Sequence, residues 1–401
     1  MTKKGWSPLA VILSAAFAVV LSAACSSKPK EPQRSIENGI EVVDNGAEIY
    51  TVPGQPSALS FKEEFRIDLE AEALAAAGLT DIVALDADSK GRIYLFRSMR
   101  SPGPLVFQFD ERGKFLKSFC PLGQGPGEAQ YPAFLGVNPQ DEIRVLSQGP
   151  ERILSFNGDG RLLWEEKITF DALARPNQYE PLVDGNFVAR YYRFDEKSAL
   201  RKIYLGLFDA GFKKIKELRN YDFPESVKPG MRILTFLPVF ASSASAFYVN
   251  WGAEGRDIAM FDLDGRMKRI IRSDFPPQTI PPEYKKEVLD RIPSGDGYRE
   301  VREYIRALDV FPAFQAFLTD DQGRLFVVGS EKDPASGANR CDVFSPEGIR
   351  IMRTGLGSQD LLRYSFEGIV FDVVLKNGCA YCVREKPDGY KEVVVYSMIW
   401  D

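Results

Sequence analysis

The 401-residue sequence contains no histidine. This removes the side chain most often used as a general base near neutral pH, and the commonest protein ligand for zinc, copper and iron. Ser–His–Asp triads and His-held metals are thereby excluded, and any chemistry falls to carboxylates, Lys, Arg, Tyr, Ser or Cys. An excess of positive charge is also missing: 51 Lys and Arg stand against 56 Asp and Glu, for a net charge of −5. With no basic run interleaved with aromatics, nothing gathers a phosphate backbone, and nucleic acid is not an expected partner. What the chain does have is 44% hydrophobic and 12% aromatic residues, enough for a large core.

Residues 1–24 read as an export signal, with Lys3 and Lys4 first, an apolar run over about residues 9–21, and small residues before Cys25. The stretch Leu21-Ser22-Ala23-Ala24-Cys25 resembles a bacterial lipoprotein signal, in which cleavage precedes a lipid-modified Cys. It departs from the usual pattern in having Ser22 three places before the Cys, with Leu21 one place early. Cleavage by an ordinary signal peptidase after Ser22-Ala23-Ala24, and retention of the apolar run as an anchor, remain open. The resemblance implies lipidation at Cys25 and a polar tether over 25–35, and Ser26, not Asp, favours the outer membrane.

Beyond residue 80 one phrase recurs: a strand, an Asp/Gly turn, a second strand, a polar loop, a third strand ending near Phe-Asp, a Gly turn and a fourth strand. That is a four-stranded antiparallel blade. The Gly before the fourth strand falls at 113, 160, 211, 265 and 348 in five copies, and a sixth copy runs to Asp401 with only three strands. FKEEFRIDL at 61–69 supplies the missing strand and closes the ring, and residues 36–52 are expected to add outer strands on the same side. The fold class is therefore all-β, a six-bladed β-propeller over 36–401.

Two stretches interrupt the phrase. Residues 281–312 read as two short helices in the fifth-blade region, with Pro281 and Pro282 opening one, Ser294-Gly295-Asp296-Gly297 before the other, and Val301, Ile305 and Leu308 on one face. They act as a prop or a lid, and the apolar face favours the prop. The stretch PLGQGPGEAQYP at 121–132 looks like a phosphate loop, but no Gly-Lys-Ser/Thr closes it and a β segment follows. It reads instead as the link between two blades, with a degenerate copy at Gly355-Leu356-Gly357.

With GRIYL, ERILSF and GQGPGEAQYP in place, the chain resembles NHL-type six-bladed propellers, and within them exported bacterial lipoproteins. The family usually places Asp shortly after its Ile-Tyr-Val strand, whereas the matching positions here hold Arg97, Ser147, Tyr191, Trp251, Gly329 and Arg384. Functions resting on that Asp do not transfer. Nor does the peptidyl-hydroxyglycine cleavage of one relative, which needs a His-bound metal.

By analogy with propellers, ligands are expected on the face that carries the second-to-third loops and the links between blades. That face collects Arg97, Arg100, Arg152, Arg190, Arg193, Arg256, Arg340 and Arg384 with Tyr191, Tyr192 and Trp251. Such a set suits an anionic ligand, gripped by guanidinium groups and stacked on aromatics. The competing reading pairs these arginines with Glu128, Glu151, Asp195, Glu254, Asp257 and Glu385. The Asp–Gly turns, beginning with Asp86 to Gly91, lack the oxygen ligands of a calcium loop.

Export permits disulfides among Cys120, Cys341, Cys379 and Cys382, with three possible connectivities, but Cys379-Ala-Tyr-Cys382 sits on a strand and is no redox pair, and buried free thiols are the expectation because small apolar residues suit strand interiors. The leading expectation is a monomeric, membrane-tethered binding or scaffold propeller for a protein or glycan, with no catalytic residue, metal or cofactor. The alternative is a lactonase-like hydrolase or lyase with a carboxylate-held metal in the channel, for which Asp86, Glu367 and Asp372 are candidates.

Overall fold

In a computed structural model, the described residues are 30–97, 103–149, 151–168, 174–195, 200–221, 239–252, 255–292, 294–295, 299–307, 309–332, 338–356, 364–365, 368–369, 373–386 and 388–401. They form six four-stranded blades. The innermost strands, in chain order, are Ile82–Ala87, Pro132–Val137, Ala174–Pro181, Phe240–Ser242, Ala316–Thr319 and Val373–Lys376. Each contacts the next, and the sixth contacts the first, so the strands wall a central channel. Valine, isoleucine, leucine and phenylalanine fill the clefts between neighbouring blades: Phe96, Val106, Leu135, Val145 and Leu154 share one cluster across blades one and two.

The ring closes as the sequence predicts. Strand Leu59–Asp68 pairs antiparallel with the last strand, Lys391–Trp400, from Asp68 opposite Glu392 to Leu59 opposite Trp400. The earlier strands do not lie beside it. Ile40–Asp44 instead adds in parallel to the outer strand of blade four, Met267–Arg272, and Gln33–Glu37 pairs outside it. Val42 and Val43 are fully covered there, and Arg269 and Arg272 ion-pair with Glu41 and Glu37. These contacts explain the departure from expectation: the hairpin gains a partner for its edge and a buried apolar side at blade four, which the sixth blade, already completed by Leu59–Asp68, does not offer.

Between hairpin and closing strand the chain crosses blade five and is clamped there. Asn45 is wholly buried; its Nδ2 donates to the carbonyls of Arg272 and Gly348 at 3.1 and 3.0 Å, and its Oδ1 accepts from the Arg350 N–H at 2.8 Å. Arg350, also fully buried, donates to the carbonyls of Glu48 and Gly46 and reaches Asp342. One stretch of chain thus ties blades four, five and six.

The recurrent glycines have a packing reason. A Cβ at Gly160 would stand 2.7 Å from the Phe119 ring, one at Gly348 2.7 Å from Ile271, and one at Gly265 2.9 Å from Leu218. Each struck residue lies on the outer strand of the preceding blade, and Gly113 meets Phe65 of the closing strand in the same way. The turn before every one of these outer strands is the place where blade presses on blade.

The 121–132 link is a self-contained knot. Gly123 N–H donates to Ala129 O, Gly125 N–H to Glu128 Oε2 and Gly127 N–H to Glu165 Oε2, so the amides that would cradle a phosphate are already used. The insertion forms helices Pro282–Arg291 and Arg299–Ala307, with Ile305 buried; the side chain of Val301 and residue Leu308 lie outside the described residues. A bridge between Thr279 and Val310 closes its base, and Arg302 donates to the carbonyls of Leu289 and Ile292, holding the two helices together.

Candidate functional site

Among the described residues, the predicted arginines are bonded to separate parts of the fold. Arg97 is buried, with Nε donating to Pro104 O at 2.9 Å, and burial lowers its pKa from the ordinary guanidinium value. Arg152 is also buried; its Nη2 donates to Gly125 O and Glu128 O at 2.6 Å each, and its Nη1 faces Glu165 at 3.2 Å. It fastens the glycine-rich link. Arg190 is covered, and Tyr191 lies in the core, stacked on Tyr204 at 5.3 Å between centroids with its hydroxyl toward Glu217. Trp251 carries the Arg219 guanidinium 4.4 Å above its ring.

Arg384 pairs with buried Glu392 at 2.5 Å, and Arg340 with Glu331. Arg152, Arg340 and Arg384 are therefore engaged within the fold, with Glu165, Glu331 and Glu392 as partners in place of the carboxylates expected from the sequence. Cys25 and Arg100 lie outside the described residues, as do the side chains of Arg193 and Tyr192. The remaining cysteines are free; Cys120 and Cys341 are buried, and burial pushes the Cys120 thiol up to about 12.

Polar side chains gather elsewhere, in the channel. It encloses about 930 Å³ and is walled by all six inner strands. Asp86, named from the sequence both in the turn up to Gly91 and as a channel candidate, lies on the strand Ile82–Ala87 and lines the channel. Its Oδ1 receives the Lys376 ammonium at 2.6 Å and the Ala87 N–H, and its Oδ2 accepts the Val137 N–H at 2.7 Å. Lys376 also donates to Ala87 O and Val137 O. Blades six, one and two are joined at this point.

Across the channel, Glu180 Oε1 accepts both the Ser242 N–H at 2.8 Å and its hydroxyl at 2.7 Å, while Thr319 donates its hydroxyl to Ser242 O. Blades three, four and five are joined by this second chain of bonds. Burial, with a smaller push from Asp86, raises the Glu180 carboxyl to about 7; Ser242 and Lys376 oppose the rise. Two neutral donors compensate only part of the hydration a buried carboxylate loses.

These residues sit at the ends of inner strands, next to the first-to-second turns. That is the opposite mouth from the one expected to hold ligand, whose loops at 98–102, 196–199 and 333–337 lie outside the described residues. Among the described residues no three of His, Cys, Asp and Glu form a metal-holding group, and Glu367 and Asp372 lie outside them. Sequence reasoning missed Gln178, Glu180, Ser242, Thr319 and Lys376. The available signal covers Ser242, Lys376 and Thr319, which stand one, two and four residues ahead of Ser243, Gly378 and Gly323; Gln178 and Glu180 carry no such mark.

A family profile described as "6-bladed beta-propeller" matches residues 79–238. No curated protein matches the sequence. Among solved structures, a candidate exported protein of Bacteroides fragilis is similar at 12% identity and a TM-score of 0.52, over 90% of this chain and 99% of that one. A protein of unknown function from Bacteroides thetaiotaomicron overlays at 9% identity and 0.43, over 92% and 84%. Virginiamycin B lyase from Staphylococcus aureus gives 9% and 0.41, over 85% and 100%. The first likeness is one of fold alone; the other two carry no argument about function.

Proposed function

We propose that this six-bladed propeller is exported, tethered to the outer membrane through a lipid on Cys25, and serves as a non-catalytic binding protein whose peptide or glycan ligand enters the channel. The observation that carries the reading is the channel itself: about 930 Å³, walled by six strands, with Asp86, Lys376 and Glu180 holding bonds between blades. Asp86 has both oxygens occupied by such bonds. A cavity of this size, with a mainly apolar lining and a few placed polar groups, matches a binding pocket. The signal sequence supports export, as does the kind of protein the Bacteroides fragilis structure is named for.

Hydrolase or lyase activity is the second reading, and one feature favours it. A carboxyl held near 7 is poised for general acid–base work. Both readings are tested by exposing purified protein to envelope extract and identifying what co-purifies by mass spectrometry, beside an Ala244→Trp variant that narrows the mouth. Binding predicts an unaltered ligand that the variant fails to retain. Equal retention by the variant refutes the channel as the site, and recovery of a cleaved or eliminated product establishes the enzyme.

A further inference from the structure

The rim of the ring carries a repeat of its own. On the outer strands of blades one to five, one residue falls outside the pairing with the third strand as a β-bulge: Leu116, Leu163, Ile215, Lys268 and Ile351 in order. Each stands three places after the residue whose N–H closes the preceding turn. A bulge re-aims the extra side chain, so this register decides what each blade turns outward.

Two of the five are accounted for within the chain. On blade five, Ile351 is only 3% exposed: Asn45, Glu48 and Tyr50 bond to Arg350, the residue before it, and Val52 packs on the core cluster that contains Ile351. On blade four the bulge is Lys268, paired with Asp262, and the strand Ile40–Asp44 runs alongside with Glu41 on Arg269. In both places the cover is extended chain that carries acids among aliphatic residues.

Blades one, two and three have no such cover among the described residues; their outer strands end their sheets. Yet Leu116, Leu163 and Ile215 are 46%, 48% and 54% exposed. Two places before each stands an exposed cation, Lys114, Arg161 and Lys213, and none of the three ion-pairs among the described residues. The strip is continuous from blade to blade: Lys117, next to Leu116, donates to Asp159 O in the turn of blade two, and a Cβ at Gly211 in the turn of blade three would stand 3.3 Å from Glu166 of blade two. The acids Glu165, Glu166 and Glu217 follow the aliphatic residue in each strand, and Glu165 and Glu217 are bonded to Arg152 and Tyr191.

Protection of an open edge explains a bulge and a nearby lysine. Charge at the bulge itself, as Lys268 provides on blade four, serves that end; three half-exposed aliphatic side chains at one register work against it. We propose that the outer rim of blades one to three is a docking surface for an extended acidic–aliphatic segment of a partner protein. Its carboxylates meet Lys114, Arg161 and Lys213, and its apolar side chains cover Leu116, Leu163 and Ile215. The occupant's chemistry follows from the charge of the bare rim and from the chain's own cover at blade four, where Glu37 and Glu41 ion-pair with Arg272 and Arg269 while Val42 and Val43 are buried. Because a bulge interrupts the edge at each point, the segment lies across blades and does not lengthen one sheet. None of these six residues lines the channel, so the surface stands or falls separately from the channel reading.

The test uses the full chain and a fluorescein-labelled synthetic peptide, Ile36–Val52 of this sequence, beside a copy whose Asp and Glu residues are replaced by Asn and Gln, read by fluorescence anisotropy. The acidic peptide is expected to bind at least tenfold more tightly than the neutral copy, with the preference shrinking as salt is raised. The triple variants Lys114→Glu/Arg161→Glu/Lys213→Glu and Leu116→Ser/Leu163→Ser/Ile215→Ser change exposed positions only. Each is expected to weaken binding at least tenfold with an unchanged melting curve, and Lys268→Ser to leave it as it was.

Equal binding of the two peptides overturns the surface. So does binding that survives both triple variants or falls as far in Lys268→Ser, since the peptide is then replacing the chain's own hairpin at blade four. Self-association that sedimentation shows to be lost in the aliphatic triple variant assigns the rim to a second copy. Attachment to phosphatidylglycerol vesicles that is lost in the cationic triple variant assigns it to a lipid surface. Either result overturns the partner segment.

Discussion

Asn45→Ala tests whether the segment between the N-terminal hairpin and the closing strand is a clamp. Alanine removes three side-chain bonds, to Arg272 O, Gly348 O and Arg350 N, in a residue with no solvent exposure. Arg272 O keeps a second donor, the Asn45 backbone N–H at 2.9 Å, so two buried backbone groups lose their partner. At about 1–3 kcal/mol for each orphaned group, the loss comes to about 3 kcal/mol after partial relaxation. Unfolding entropy near 2.1 cal/mol/K per residue over roughly 350 folded residues converts this to a fall in Tm of about 4 °C.

Differential scanning calorimetry of the two proteins at one pH reads the shift directly. Arg350→Met, alone and combined with Asn45→Ala, completes a cycle. Because the two residues share one bond and one buried site, the double variant is expected to lose less than the sum of the singles. A shift below about 1 °C, or full additivity, would show that blades four to six hold together without this segment.

Glu180 gives a pH dependence. Its carboxyl, raised from 4.5 to about 7, holds a proton in the folded chain between those values that the unfolded chain releases. This stabilisation is complete below pH 4.5 and fades as pH rises through 7; Asp86 from blade one and Lys376 from blade six are the charged groups facing it. Urea midpoints at pH 5, 6, 7 and 8 are expected to fall less steeply in Glu180→Gln, and parallel curves refute the assignment. Gly160→Ala combines a φ of +69° with a 2.7 Å approach to Phe119 and is expected to cost about 3 kcal/mol. Gly389→Ala, whose Cβ meets nothing within 4 Å, is expected to cost about 1 kcal/mol, and equal losses in denaturant melts contradict the blade-contact account. Cys25→Ser is expected to move the protein from the membrane pellet to the soluble fraction, and its persistence in the pellet sinks the lipid tether.

The blades were legible because their punctuation is local. A Gly where one blade meets the next, or an Asn157 whose side chain caps the Asp159 and Arg161 amides, recurs at each turn for the same steric reason. The closing strand could be inferred because a ring with one blade short of a strand has only one kind of remedy. What the sequence hid is lateral and composite. ARPNQYEP carries two prolines and little apolar alternation, so the third blade's inner strand, with Gln178 and Glu180, does not read as a strand at all. Nothing in IEVVD names Met267–Arg272 as its neighbour. The channel takes one or two side chains from each of six strands, so no short stretch of sequence contains it. Arginine counts misled for a related reason: position in a loop says nothing of whether a long side chain folds back, as Arg152 does onto the link it follows.

Pairing the two chain ends also fixes the order in which the molecule can finish. Ser397 Oγ donates to Glu64 Oε1 across 333 residues of sequence, at 2.9 Å. Closing a loop of that length carries about 2 kcal/mol more entropy loss than closing one of about fifty residues, the length of a blade. Leu59–Asp68 precedes the intervening blades in the chain and its partner follows them, so the first strand waits unpaired while five blades form. Until Lys391–Trp400 arrives, blade one lacks the Phe65 and Ile67 that press on its Gly113 turn, and blade six lacks an outer edge. A chain stopped before Lys391 is therefore not a propeller with a short last blade; it is an open arc with two strand edges available to other chains.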